Sequence, residues 1–142
     1  MKTKEEIITE LVGNVCWRAW RGVGTVLYFE FGEQLPDKKG GEPRKGTYTL
    51  GLSCPWQVFR GKTLLFNDTI DLKELDEKVL LFNNSRVTEI NFEADTHEET
   101  ICFENGLEIH VYHNGSDDQW HILTPELECV FFKDRVQVGP LE

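Results

Sequence analysis

Sulfur is sparse: 142 residues carry one methionine and four cysteines, Cys16, Cys54, Cys102 and Cys129, with no two of them close enough for a C-x-x-C pair. That spacing excludes a zinc ribbon and a thioredoxin-like redox site. A chain of this length buries roughly two-thirds of its surface without disulfide staples, so buried free thiols are expected. No apolar run approaches the ~20 residues that a membrane-spanning helix needs. The first residues, MKTKEEIITEL, lack the continuous apolar core of a signal peptide, and a cytoplasmic protein is expected. In that setting the N-x-[ST] triplets at Asn67, Asn83 and Asn114 carry no weight. Internal repeats and low-complexity blocks are absent as well.

Positive charge is the other deficit. Fifteen Lys and Arg stand against 25 Asp and Glu, a formal net charge of −10. Residues 1–92 are balanced, whereas 93–142 hold twelve acids against only Lys133 and Arg135. Binding to nucleic acid draws on Lys and Arg that displace counterions, so free nucleic acid is a poor partner and a basic protein a better one. Aromatics are abundant, with nine Phe, four Trp and three Tyr, and hydrophobic residues make up 39%. This is the composition of one folded domain, 1–142, rather than of a disordered chain.

Thr3-Lys4-Glu5-Glu6 has the pattern of a capping box, and Ile7, Ile8 and Leu11 follow as an apolar stripe, which predicts an N-terminal helix over about 4–12 ending near Gly13-Asn14. A β-rich body over 15–136 is predicted from aromatic and β-branched runs at 15–20, 25–31, 47–53, 56–59, 63–66, 86–92, 100–103, 107–113, 120–123 and 127–132. In the second run Leu27, Phe29 and Phe31 share the core face, with Val26, Tyr28 and Glu30 opposite. Residues 71–79 return to helical spacing, with Leu72, Leu75 and Val79 on one side and Asp71 as the cap. The fold class is therefore α+β: a mainly antiparallel, twisted sheet or partial barrel of eight to ten strands, an N-terminal helix and one short internal helix. Around Glu104-Asn105-Gly106, a three-residue loop with Gly106 left-handed pairs Phe103 with Leu107 and Ile101 with Ile109, and turns Glu108, His110 and Tyr112 to the other face. Residues 32–46, rich in Gly, Pro and charge, are expected to form a mobile loop.

Motifs of catalysis are incomplete. Gly22-Val23-Gly24-Thr25 has no third glycine and runs into a strand, so it is read as a tight turn between strands. Gly41 through Thr47 resembles a phosphate-binding loop until Thr47 stands where the lysine belongs. His97, His110, His113 and His121 could ligate a metal with Asp117 or Asp118, but zinc needs three or four ligands at one point, and on a strand His110 and His113 face opposite ways. No nucleophile sits in a recognisable elbow. No enzyme, metal or cofactor is expected. Trp17, Trp20, Trp56 and Trp120 are read as packing residues, an exposed one marking an interface. The acids Glu93, Asp95, Glu98, Glu99, Glu104, Glu108, Asp117, Asp118, Glu126 and Glu128 form the candidate partner-binding surface; the plainer reading is a solvated face that keeps the protein soluble.

The run from Trp17 to Thr25 into Leu27–Gly32, then Gly46–Leu52 into Cys54-Pro55-Trp56, and finally Trp120–Pro125, resembles the immunity proteins encoded beside bacterial polymorphic toxins, among them the one that answers the Bacillus wall-associated contact-dependent toxin. The resemblance spans 15–125 and rests mostly on packing residues. It implies a cytoplasmic inhibitor of a cognate basic toxin domain, a transfer-RNA-cleaving nuclease in the Bacillus case, with no direct contact to nucleic acid or membrane; it identifies no interface residues. A small β-rich ligand-binding domain, with a cavity among the aromatic strands, and a metal-dependent hydrolase built on His110, His113 or His121 are the alternatives.

Overall fold

The computed structural model describes residues 4–37, 39–93, 98–112, 119–124, 127–132 and 136–140. Helix α1 spans Lys4–Leu11, and strands β1 to β5 span Val15–Arg21, Leu27–Leu35, Lys45–Leu52, Trp56–Arg60 and Thr63–Asn67. Helix α2, Leu72–Lys78, runs into a 3-10 turn over Val79–Phe82. Strands β6 to β11 follow at Ser85–Glu93, Glu98–Phe103, Leu107–Tyr112, Gln119–Leu123, Leu127–Phe132 and Val136–Pro140. The α+β class with one N-terminal and one internal helix is as the sequence predicts.

All pairings are antiparallel, in the order β11-β10-β9-β3-β2-β1-β6-β7-β8-β4-β5. The sheet has a seam: β1 and β6 share only two register pairs, Val15 with Arg86 and Cys16 with Ser85. Phe29 and Phe103, from opposite sides of that seam, approach to 6.1 Å, and Phe82 packs against them at 5.2 and 4.9 Å. Across the same gap the Trp56 indole N–H donates to the Thr25 carbonyl at 2.9 Å. The sheet thus bends over a single core, and its ends, β11 and β5, stay unjoined among the described residues.

Local chemistry explains most elements. Ile7 and Leu11 of α1 are fully buried, and the helix stops at Gly13, whose φ of +95° suits only glycine there. Thr3, the expected cap, lies outside the described residues. Asp71 occupies the N-cap of α2 but caps with its carbonyl, which accepts the Leu75 N–H at 2.9 Å, and makes no side-chain cap bond. Leu75 and Val79 are buried as expected, whereas Leu72, in the first turn, is 40% exposed. Tightening to 3-10 geometry aligns positions three apart, so Val79 and Phe82 enter the core while Leu80 and Leu81 stay outside. Gly22–Thr25 is the tight turn predicted, closed by the Gly22 N–H on the Val26 carbonyl at 2.8 Å. The β7–β8 hairpin keeps the predicted register: Ile101 opposes Ile109, Gly106 has φ +89°, and Leu107, Ile109 and Val111 are buried.

Three expectations change. Strand β2 continues past Gly32, at φ +80°, as far as Leu35, and β3 begins at Lys45, so the loop shrinks to 36–44. Eleven strands replace eight to ten, because Val136–Pro140, whose alternation is cut short by Gly139 and Pro140, is held as a strand by its ladder with β10. Glu30, assigned to the exposed side of β2, is fully buried. Two bulges surround it: Trp17 is an extra residue in β1, and β2 gains one between Phe31 and Gln34. The Glu30 carboxyl collects donors from both neighbouring strands: the Trp20 indole N–H at 2.9 Å, the Thr49 hydroxyl at 2.5 Å and the Gly46 backbone N–H at 3.1 Å. Three donors offset the desolvation of a group that water cannot reach.

Gly46 is part of this arrangement by necessity, since a Cβ there would stand 2.2 Å from the Phe31 carbonyl oxygen. Gly46→Ala is expected to destabilise by about 2–3 kcal/mol, a fall in Tm of roughly 6–10 °C by calorimetry. Gly139→Ala, where a Cβ meets nothing within 4 Å, is expected to be neutral within about 0.5 kcal/mol.

Candidate protein-binding face

Beyond the seam, the outer surface of β6, β7, β8 and β4 is built by alternation against the core, broken once by a bulge in β6. With Leu107, Ile109 and Val111 inward, Glu108, His110 and Tyr112 take the other side of β8 and are each half-buried. Register then sets out one row of Glu89, Cys102, Glu108 and Phe59, and a second of Asn91, Thr100, His110 and Gln57. Phe59 and His110 touch, ring centroids 4.6 Å apart, and the Tyr112 hydroxyl donates to Gln57 Oε1 at 3.0 Å. Glu104, in the turn, faces Arg86 at 3.8 Å with both side chains half exposed, a pairing that solvent keeps weak. A cleft of about 410 Å³ opens beside the face, lined by Pro55, Gln57, Asn67, Asp68 and Tyr112 among others.

The acids predicted to bind a partner do not all meet here. Glu108 does, on β8, and Glu104 stands in the adjoining turn, paired with Arg86. Glu93 and Glu98 stand opposite each other at the far end of the β6–β7 ladder. Glu99 opposes Val111 and is buried, so the exposed face is formed without it. Glu128 lies across the seam on β10, opposite Leu123 and Gly139. Asp95, Asp117, Asp118 and Glu126 lie outside the described residues. Glu89, which the sequence reading left out, joins the row. Simple alternation would put it on the buried side with Val87, but the extra residue at Thr88 reverses the phase of β6.

The histidines separate too. His110 belongs to this face, while His121 lies on β9 across the seam, projecting away from the buried Trp120 and Ile122 as expected. Its ring covers Gly51, where a Cβ would come within 2.3 Å of Nε2, and burial holds its pKa below the usual histidine range. His97 and His113 lie outside the described residues. Among the described residues no three His, Cys, Asp or Glu side chains converge as metal ligands. Trp56 and Trp120 are buried and Trp17 and Trp20 half-buried. Cys16, Cys54 and Cys129 are buried, whereas Cys102 is half-buried. No helix among the described residues is long and apolar enough to cross a membrane.

No family model, no curated protein and no solved structure matches the chain.

Burial and the carboxylates of this face act together on Cys102, whose thiol sits 3.5 Å from Glu108 Oε1. Burial, then Glu108 and Glu89, push it up to about 11. A thiolate next to carboxylates is disfavoured, so at pH 8 alkylation of Cys102 by iodoacetamide is expected to run about a hundredfold slower than for free cysteine, and Glu108→Gln is expected to speed it severalfold. A native rate equal to that of free cysteine would contradict the burial of the thiol, and a rate that Glu108→Gln leaves unchanged would contradict the acidic environment.

Proposed function

We propose that this protein is an inhibitor of the immunity type, which binds a basic toxin domain, a nuclease that cleaves transfer RNA, and occludes its substrate cleft. The observation that carries the reading is the outer face just described: Glu89 and Glu108 in one row with Phe59 of the Phe59–His110 pair, with Glu104 in the adjoining turn, on a chain of net charge −10. A nuclease cleft is lined with Lys and Arg because it must hold phosphates. An acidic surface placed in that cleft speeds encounter through its field and competes with the RNA for the same cations. The aromatic pair supplies the contact area that charge alone lacks, since interface energy concentrates in a few well-packed anchors. Carboxylates fully desolvated in the complex would couple to their partners by about 1.5–7 kcal/mol each, and those on the rim would act mainly on the association rate. Action in the cytoplasm belongs to the same reading, because there an imported nuclease meets its RNA.

The test is a titration of the toxin domain encoded beside this protein, with cleavage and binding followed together. Stoichiometric loss of cleavage is expected, with an affinity that falls as salt rises. The double variant Glu104→Lys, Glu108→Lys is expected to weaken binding by about a hundredfold or more, or roughly 2.7 kcal/mol, with little change in Tm. Full affinity in that variant would move the interface elsewhere, and cleavage untouched by the native protein would overturn the reading.

A further inference from the structure

We propose that the cleft at Trp17, Arg18 and Arg44 is a binding site for a small anion carried on a flat aromatic ring, such as an aryl phosphate or aryl carboxylate. The site lies between β1, the end of β2 and the loop 36–44, across the seam from the acidic face, and stands independently of the inhibitor reading. Its volume is about 630 Å³, the size of a small-molecule site, and Gln34 and Glu42 complete much of its lining.

Two adjacent irregularities make the hollow. The bulge in β1 inserts Trp17 between Cys16 and Arg18, and the bulge in β2 inserts a residue between Phe31 and Gln34; Phe31 opposes Cys16 on one side and Tyr48 on the other. Bulges bend a strand and re-aim its side chains, and here both do so at the same level of the sheet.

Arg18 is held in place. The Arg18 guanidinium lies 4.8 Å from the centroid of the Trp20 ring, and its Nη1 donates to the Arg44 carbonyl at 2.9 Å, which uses one of its five N–H groups. Trp20 is itself fixed, stacked on Tyr28 at 4.5 Å and donating to the buried Glu30. A guanidinium so braced loses little freedom when it grips an oxyanion. Arg44 also lines a neighbouring cleft with Lys39, Lys45 and Asp37, so four cations face two acids here, Glu42 and Asp37, on a chain that is otherwise strongly acidic. The Trp17 indole, whose buried N–H is packed against Gly46, forms one wall of the cleft. Indole and guanidinium together favour a ring that stacks and an anion that pairs.

The experiment is calorimetric titration of the full chain with adenosine monophosphate, 2-naphthoate, adenosine and inorganic phosphate, each up to about 5 mM. At least one of the two ring-borne anions is expected to bind about tenfold tighter than adenosine or phosphate alone. Preference for the nucleotide would assign the anion as phosphate, and preference for naphthoate as carboxylate. Arg44→Gln, which keeps the carbonyl that Arg18 uses, is expected to weaken that binding about fivefold or more without lowering Tm. No binding of either ring-borne anion, or binding that Arg44→Gln leaves unchanged, would overturn the proposal.

Discussion

A carboxyl group that water cannot reach must find its donors within the fold, and Glu30, on β2, finds them on both strands that flank it. Trp20 supplies one from β1, and Thr49 and Gly46 supply two from β3. A slip of either neighbour by one residue would leave a buried polar group without its partners, at a cost of several kcal/mol. The register of the central three strands follows from that requirement. So does the close approach at Gly46, where the Phe31 carbonyl leaves no room for a side chain, and so does the fixed position of Trp20, on which Arg18 rests.

From this centre the sheet runs in two directions, and the short seam between β1 and β6 gives its halves separate outer surfaces. One half buries Trp120 against Phe131 and carries the bulged cationic cleft at Trp17 and Arg44. The other presents Glu89, Glu104 and Glu108 with Phe59 and His110. Among the described residues, topology places Glu89 and Glu108 on one face and gathers Arg18, Arg44, Lys39 and Lys45 around a hollow across the seam. The two proposed partners, a basic protein and a small anion, would therefore not compete for one surface.

Much of the fold is legible from residue order because short-range physics decides it. Ile7 and Leu11 announce the first helix, Gly106 sets the β7–β8 hairpin, and the alternation of Leu107 through Tyr112 gives the outward direction of Glu108 and His110. What escapes is whatever depends on pairing between distant strands. Glu30 reads as a solvent-side residue because nothing local reveals that Trp20 and Thr49 will enclose it. Glu89 reads as inward until the bulge at Thr88 shifts the phase. β11 owes its existence to a partner strand, not to its own weak pattern. The candidate face is half legible for the same reason: the acidic block of the last third is plain, but only register separates Glu108 from buried Glu99 and from Glu128 across the seam.

The central claim, that the acidic outer face is where a basic partner docks, is tested most directly by amide spectra of the labelled protein, by nuclear magnetic resonance, with and without a basic toxin domain of the kind proposed. Shifts concentrated in the amides of Glu104 through Tyr112 and of Phe59, with those of Glu128 and its neighbours on β10 and β11 unmoved, are the result expected. Shifts confined to β9 through β11, or none at saturating partner, would contradict it.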